Sequence, residues 1–170
     1  MRLFVAVNFE RNTLLKLLAL RDEVRSHSIR GSFVLPENFH LTLAFLGECS
    51  PEQAAAAKKA MSKTAFKPFD ILFDDLGRFR RDGSHLWWAG VRESRELLKL
   101  QRDLSENLSG AGFSLDKKKY KPHITLGRKV ITHFNPRKVE PFGQRVSGID
   151  LMKSEQINGK LTYTLIFRTP

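Results

Sequence analysis

The 170 residues suit one domain, or two small lobes around a shared core, and 41% apolar residues against 28% charged ones exclude a disordered chain. Lysine and arginine number 29 against 18 aspartate and glutamate, a formal charge of +11. That imbalance predicts either attraction to polyanions, through release of condensed counterions, or only a basic, solvated surface.

The single cysteine, Cys49, excludes an intramolecular disulfide and suits a reducing compartment; no neighbour is placed in sequence to activate its thiol. No stretch approaches the ~20 apolar residues that span a bilayer. The short apolar run Leu3 to Val7 lacks the extended core and cleavage site of a signal peptide, so a cytoplasmic protein with no membrane partner is expected.

Leu3 to Phe9 is rich in β-formers and predicts a strand. Asn12 and Thr13 are candidate caps for the next helix, in which Leu14, Leu17, Leu18 and Val24 recur at helical spacing. Gly31 to Pro36 reads as a break with a short extended piece, and His40 to Leu46 as a second strand stopped by Gly47. Ser50-Pro51-Glu52-Gln53 starts a helix that runs to about Thr64: serine at the cap, proline at the first helical position, and Gln53 placed to close a capping box. Phe69 to Phe79 and Leu86 to Val91 predict a strand pair joined through Asp82-Gly83.

Ser94 to Leu108 is an amphipathic helix with Leu97, Leu100, Leu104 and Leu108 on one side, ended by Gly110 and Gly112. After the basic run Lys117 to Lys121 comes a third clear strand, His123 to Leu126, and Asn135-Pro136 opens a short turn or helix. Val146 to Ile157 and Leu161 to Phe167 then read as strands across Asn158-Gly159, a strong hairpin signal. No linker divides residues 1–170 into independent domains.

One internal echo stands out. His40-Leu41-Thr42-Leu43 recurs as His123-Ile124-Thr125-Leu126, 83 residues later and each time after a proline-containing turn. On a strand, residues two apart share a face. Each tetrapeptide therefore presents an imidazole and a hydroxyl together, backed by aliphatic side chains directed into a core. If a pseudo-twofold axis relates the halves, two imidazoles and two hydroxyls converge on one groove. In-line displacement at phosphorus needs a base on the attacking oxygen and an acid on the leaving one. Histidine does either near neutral pH. Threonine hydroxyls can donate to the non-bridging oxygens. The scheme needs no metal and no cofactor. A lone H-x-T is more often structural than catalytic; two copies half a chain apart change that balance.

The paired motifs resemble the signature of the two-histidine (2H) phosphoesterase superfamily. Within it, the sequence is similar to the RNA 2′,3′-cyclic phosphodiesterase family, also called 2′-5′ RNA ligases. Arg2 to Val7 looks like the family's opening strand, Pro36 to Glu48 like its first motif and Lys121 to Arg128 like its second.

The resemblance implies an α+β fold over residues 1–170, bilobal, with two antiparallel sheets flanking a central groove and helices outside. It implies hydrolysis of an RNA terminal 2′,3′-cyclic phosphate to a 2′-phosphate, with His40 as acid, His123 as base, and Thr42 and Thr125 on the phosphate. The reverse step would join RNA ends through a 2′-5′ linkage. The family also carries an arginine five residues after its second histidine, where Arg128 stands. A regular strand would turn Arg128 to the face opposite His123, because five is odd, unless Gly127 supplies a bulge or the strand ends there. The tryptophan that often precedes the first motif is replaced here by Phe33.

Phe9, Phe33 and Tyr120 lie near strand ends that approach the proposed groove. Each has two readings, stacking on a base or packing in the core. Lys117, Lys118, Lys119 and Lys121, and likewise Arg78, Arg80 and Arg81, read either as guides for RNA or as solvated loops. Trp87 and Trp88 are neighbours on a strand and point to opposite faces, which puts at least one in the core. His27, His85 and His133 lack an H-x-T context and any metal-ligand spacing, so no metal is expected. The expected species is a monomer whose partner is RNA with a 2′,3′-cyclic phosphate end. Two other readings compete: the same site acting on a small cyclic nucleotide or oligoadenylate, and a non-catalytic module that only grips RNA phosphate.

Overall fold

The computed structural model describes residues 1–170. In chain order the elements are β1 (Arg2–Val7), α1 (Arg11–Ser26), β2 (Ser28–Phe33), a 3-10 turn (Pro36–Asn38), β3 (Leu41–Glu48), α2 (Pro51–Lys63), β4 (Phe69–Arg81), β5 (Ser84–Val91), α3 (Arg95–Gly110), β6 (His123–Thr132), β7 (Arg137–Val146), β8 (Asp150–Ile157) and β9 (Lys160–Arg168). The strands form two sheets, β3-β1-β8-β9 and β2-β6-β5-β4-β7. Every pairing is antiparallel. This is the expected α+β architecture, with the first H-x-T-L motif entering the edge strand of one sheet and the second entering an inner strand of the other.

One core of 33 buried residues draws on both sheets and all three helices. Helix α1 packs behind the five-stranded sheet, while α2 and α3 pack together, with α3 against β3. The leucine stripe of α3, Leu97, Leu100, Leu104 and Leu108, is buried as its spacing predicts. The Ser50–Gln53 capping box forms in both directions, so two of the orphan N–H groups at the start of α2 are satisfied. No helix is long and apolar enough to cross a membrane.

Three sequence expectations are corrected. Asn12 and Thr13 do not cap α1, which starts two to three residues earlier behind Glu10 with no side-chain cap. Thr13 is buried instead, and its hydroxyl donates to the Gly143 carbonyl at 3.1 Å, tying α1 to β7. The region after Asn135-Pro136 is strand β7, not a short turn or helix. Only Phe142 and Val146 of its ten residues are buried, so the apolar alternation that would announce a strand is missing. It survives as the edge of its sheet, and Pro141 sits where the ladder with β4 shifts register between Phe142 and Lys138, a position that tolerates a missing N–H. Finally, Val146 ends β7 rather than opening β8; the chain breaks at 147–149, where Ile149 bonds Thr169 instead.

Candidate active site

The duplicated tetrapeptides fold as their period dictates. Leu41, Leu43, Ile124 and Leu126 are at most 2% exposed. His40, Thr42, His123 and Thr125, on the alternate face, stay partly open to solvent. The greasy backs fix both strands while the polar fronts remain available.

The two imidazoles are held by the same device. His40 Nδ1–H donates to the carbonyl of Asn38 at 2.8 Å, and His123 Nδ1–H donates to the carbonyl of Lys121 at 2.6 Å. In each case the acceptor lies two residues earlier. A carbonyl oxygen only accepts, so Nδ1 must carry the proton, and Nε2 is the atom left for proton transfer. The Asn38 side chain donates to the Leu161 carbonyl of β9 at 3.2 Å, which anchors the turn that holds His40.

Around His40, Phe4 lies 4.7 Å away between ring centroids and Tyr163 meets it edge-on at 5.0 Å. Around His123, Phe79 is edge-on at 5.7 Å. Burial pushes the His40 imidazole below the usual histidine range, against the opposing pull of the Asn38 carbonyl; the positive charge of Arg128 lowers it further. An anion bound beside the ring would act in the other direction and favour imidazolium.

Two interactions relate the motifs of the separate sheets, one through charge and one through a hydrogen bond. The first is Arg128. Trp87 pairs with Gly127 while Trp88 pairs with Thr125, so Leu126 is an extra residue in β6. This bulge sets Leu126 and Gly127 both on the buried side and returns Arg128 to the face of His123 and Thr125. From there Arg128 lies close enough for its charge to act on both His40 and Tyr163, across from its own sheet.

The second contact is Tyr120, three residues before His123, whose hydroxyl donates to the Thr42 carbonyl at 2.8 Å. It clamps the approach to the second motif onto the first. Tyr120→Phe keeps the ring and removes that hydrogen bond, so urea unfolding should register a loss of about 1 kcal/mol. No change in midpoint would mean that the clamp does not hold the halves together.

Of the three candidate stacking residues, Tyr120 has its phenol raised well above the usual range by burial, and its ring packs on the main core. Phe9 packs edge-on against core Phe73 at 5.7 Å. Phe33 lies across Gly127, close enough that a Cβ there would sit 2.8 Å from its ring, and so it lies beside Arg128. Trp87 is fully buried. Trp88 and Phe79, which sequence alone did not single out for the site, stand on the His123 face. Their signal was parity: Trp88 is the neighbour left outside once Trp87 is placed in the core.

Lys117, Lys118, Lys119 and Lys121 are exposed on the segment leading to His123. Arg78 turns away, bonding the Phe134 carbonyl at 3.2 Å over Trp87. His27 stacks on Phe134 at 4.5 Å, remote from the motifs. No three His, Cys, Asp or Glu side chains converge as a metal site would require.

The sequence profile of the 2′-5′ RNA ligase superfamily matches residues 17–155. An RNA 2′,3′-cyclic phosphodiesterase of Archaeoglobus fulgidus is 40% identical over 129 residues, covering 75% of this chain and 72% of that protein. Another, of Methanothermobacter thermautotrophicus, is 27% identical over 175 residues, covering 96% and 95%. Among solved structures, Escherichia coli LigT complexed with 3′-AMP superposes with a TM-score of 0.85 at 27% identity, covering 98% of this chain and 95% of that one.

Proposed function

Because the chain belongs to the 2′-5′ RNA ligase superfamily, we propose that it hydrolyses the 2′,3′-cyclic phosphate at an RNA end to a 2′-phosphate, with His123 as general base and His40 as general acid. The observation that carries this reading is the matched pair of imidazoles. Each is pinned through Nδ1 to the carbonyl two residues earlier, Tyr120 ties the approach to the second motif onto Thr42 of the first, and the charge of Arg128 reaches His40. The activity named for the relatives, and the 3′-AMP bound by LigT, support the same substrate class.

The chemistry follows from the two Nε2 atoms. A water oxygen attacks phosphorus as His123 Nε2 removes its proton. The P–O3′ bond breaks on the opposite side, and His40 Nε2–H delivers a proton to the departing 3′ oxygen. The phosphate stays on O2′. Thr42 and Thr125 donate to the non-bridging oxygens, and Arg128 offsets the charge that accumulates there. The free groove favours neutral His40, whereas the anionic cyclic phosphate favours its protonated form, so substrate binding helps to charge the acid. With an RNA 5′-hydroxyl in place of water, the same transfers in the same direction make a 2′-5′ linkage, and run backwards they cleave one. The basic balance of +11 favours RNA over a free nucleotide.

An RNA carrying a 2′,3′-cyclic phosphate, incubated with the protein in EDTA, should give a 2′-phosphomonoester by phosphorus NMR, at a rate equal to that without chelator. A 3′-phosphate product would reverse the leaving group and overturn the assignment. Loss of activity in EDTA would replace the two-histidine scheme with a metal-assisted one.

A further inference from the structure

Beside His123 lies an aromatic ledge that hydrolysis by water does not use. Trp88 pairs across the ladder with Thr125, and Gly90 with His123, so the indole shares the face of both catalytic-motif side chains. It lies flat. A Cβ on Gly77 would sit 2.2 Å from the indole, and one on Gly90 would sit 2.8 Å from it. Phe79 extends the surface, 5.3 Å from Trp88 and 5.7 Å from His123. Arg81, two residues beyond Phe79 on the same strand, is exposed at its outer end.

The arrangement is costly. Gly77 and Gly90 lie inside strands at ordinary φ, where glycine weakens a sheet and no turn requires it. The buried Nε1–H of Trp88 has no hydrogen-bond partner. A smaller aliphatic residue would cover the sheet without either cost. What the indole adds is a flat, half-open π-face next to one imidazole.

In-line geometry says which group that face meets. The nucleoside bearing the cyclic phosphate is attached to the leaving 3′ oxygen, and so it lies on the His40 side, where Phe4, Tyr163 and the 70%-exposed Phe45 stand. The ledge lies on the nucleophile side. Water brings no base to stack there; an alcohol carried by a second nucleoside does. We propose that Trp88 and Phe79 form the binding site for the nucleobase of the 5′-hydroxyl strand. The stacked base aligns its O5′–H for deprotonation by His123 as the O5′–P bond forms and the P–O3′ bond breaks, with His40 protonating O3′. In the opposite direction the same ledge holds the departing nucleoside when a 2′-5′ linkage is cleaved. The inference rests on the acid and base roles given above.

The test compares two substrates: adenylyl-(2′-5′)-adenosine, which has a nucleoside on the ledge side, and adenosine 2′,3′-cyclic phosphate, which has none. In Trp88→Leu the ratio of kcat/KM for the dinucleotide to that for the cyclic nucleotide should fall by about tenfold or more, the size of a lost base–aromatic stack. In Trp88→Phe, which keeps a π-face, most of the ratio should return. Thermal melts establish that each variant is folded; if Trp88→Leu is not, Trp88→Phe paired with Phe79→Leu carries the comparison. An unchanged ratio, whether both rates hold or both fall, overturns the proposal. So does a wild-type protein that opens the cyclic phosphate but neither cleaves nor joins a 2′-5′ linkage. That last result leaves the phosphodiesterase reading intact, whereas full activity in His40→Ala would sink that reading itself.

Discussion

Alanine at His40 or at His123 should lower the rate of cyclic-phosphate opening by roughly 10²–10⁴-fold, the contribution expected of one general acid or base. Affinity for the RNA should change far less, because in the proposed mechanism the imidazoles transfer protons rather than carry the phosphate. The two losses should not multiply in the double variant, since once one end of a concerted displacement lacks its proton partner, the other gains little by having one. His40 is wedged between Phe4 and Tyr163. His40→Gln, which refills that space without a titratable nitrogen, therefore separates lost chemistry from lost packing. Single-turnover rates alongside binding of an uncleavable RNA would measure both quantities. Unaltered turnover with weakened binding would instead identify a non-catalytic phosphate-gripping module.

The second large effect belongs to the hydroxyls. Thr42→Val and Thr125→Val remove a donor while keeping the branched shape that both strands pack. Each should cost roughly 10²-fold in kcat with a smaller change in KM, as expected for a donor that strengthens only as charge builds on the non-bridging oxygens. The fold should tolerate both. The clamp from Tyr120 reaches the Thr42 carbonyl, not its side chain, and Thr125 holds its place in the ladder through backbone pairing with Trp88. A rise in KM with kcat unmoved would mean that the hydroxyls bind the ground state and the transition state alike.

What could be read in advance was whatever depends on local period. The H-x-T-L strands declare their polar and apolar faces in four residues. Ser50 with Gln53 declares a helix start. Asn158-Gly159 and Asp82-Gly83 turn with positive φ at both positions, as two-residue hairpins require.

What could not be read depends on tertiary pairing. β7 carries Pro141 and little apolar alternation, and it is a strand only because β4 offers it an edge. Arg128 stands at the wrong parity for the groove until the bulge at Leu126 resets the strand. Tyr120 looks in sequence like a candidate for stacking, yet its hydroxyl reaches Thr42, 78 positions away along the chain. Trp88 is told apart from Trp87 only by which side of the sheet the core lies on.

The proposed division of labour between the two imidazoles is measured most directly by the pH dependence of kcat/KM. The wild-type protein should give a bell. Its acid limb comes from the base that must be neutral, and its alkaline limb from the acid that must be protonated. In His123→Ala the acid limb should disappear, and in His40→Ala the alkaline one. Both limbs persisting in either variant would show that the titrating groups lie elsewhere, and would contradict a displacement served by His40 and His123.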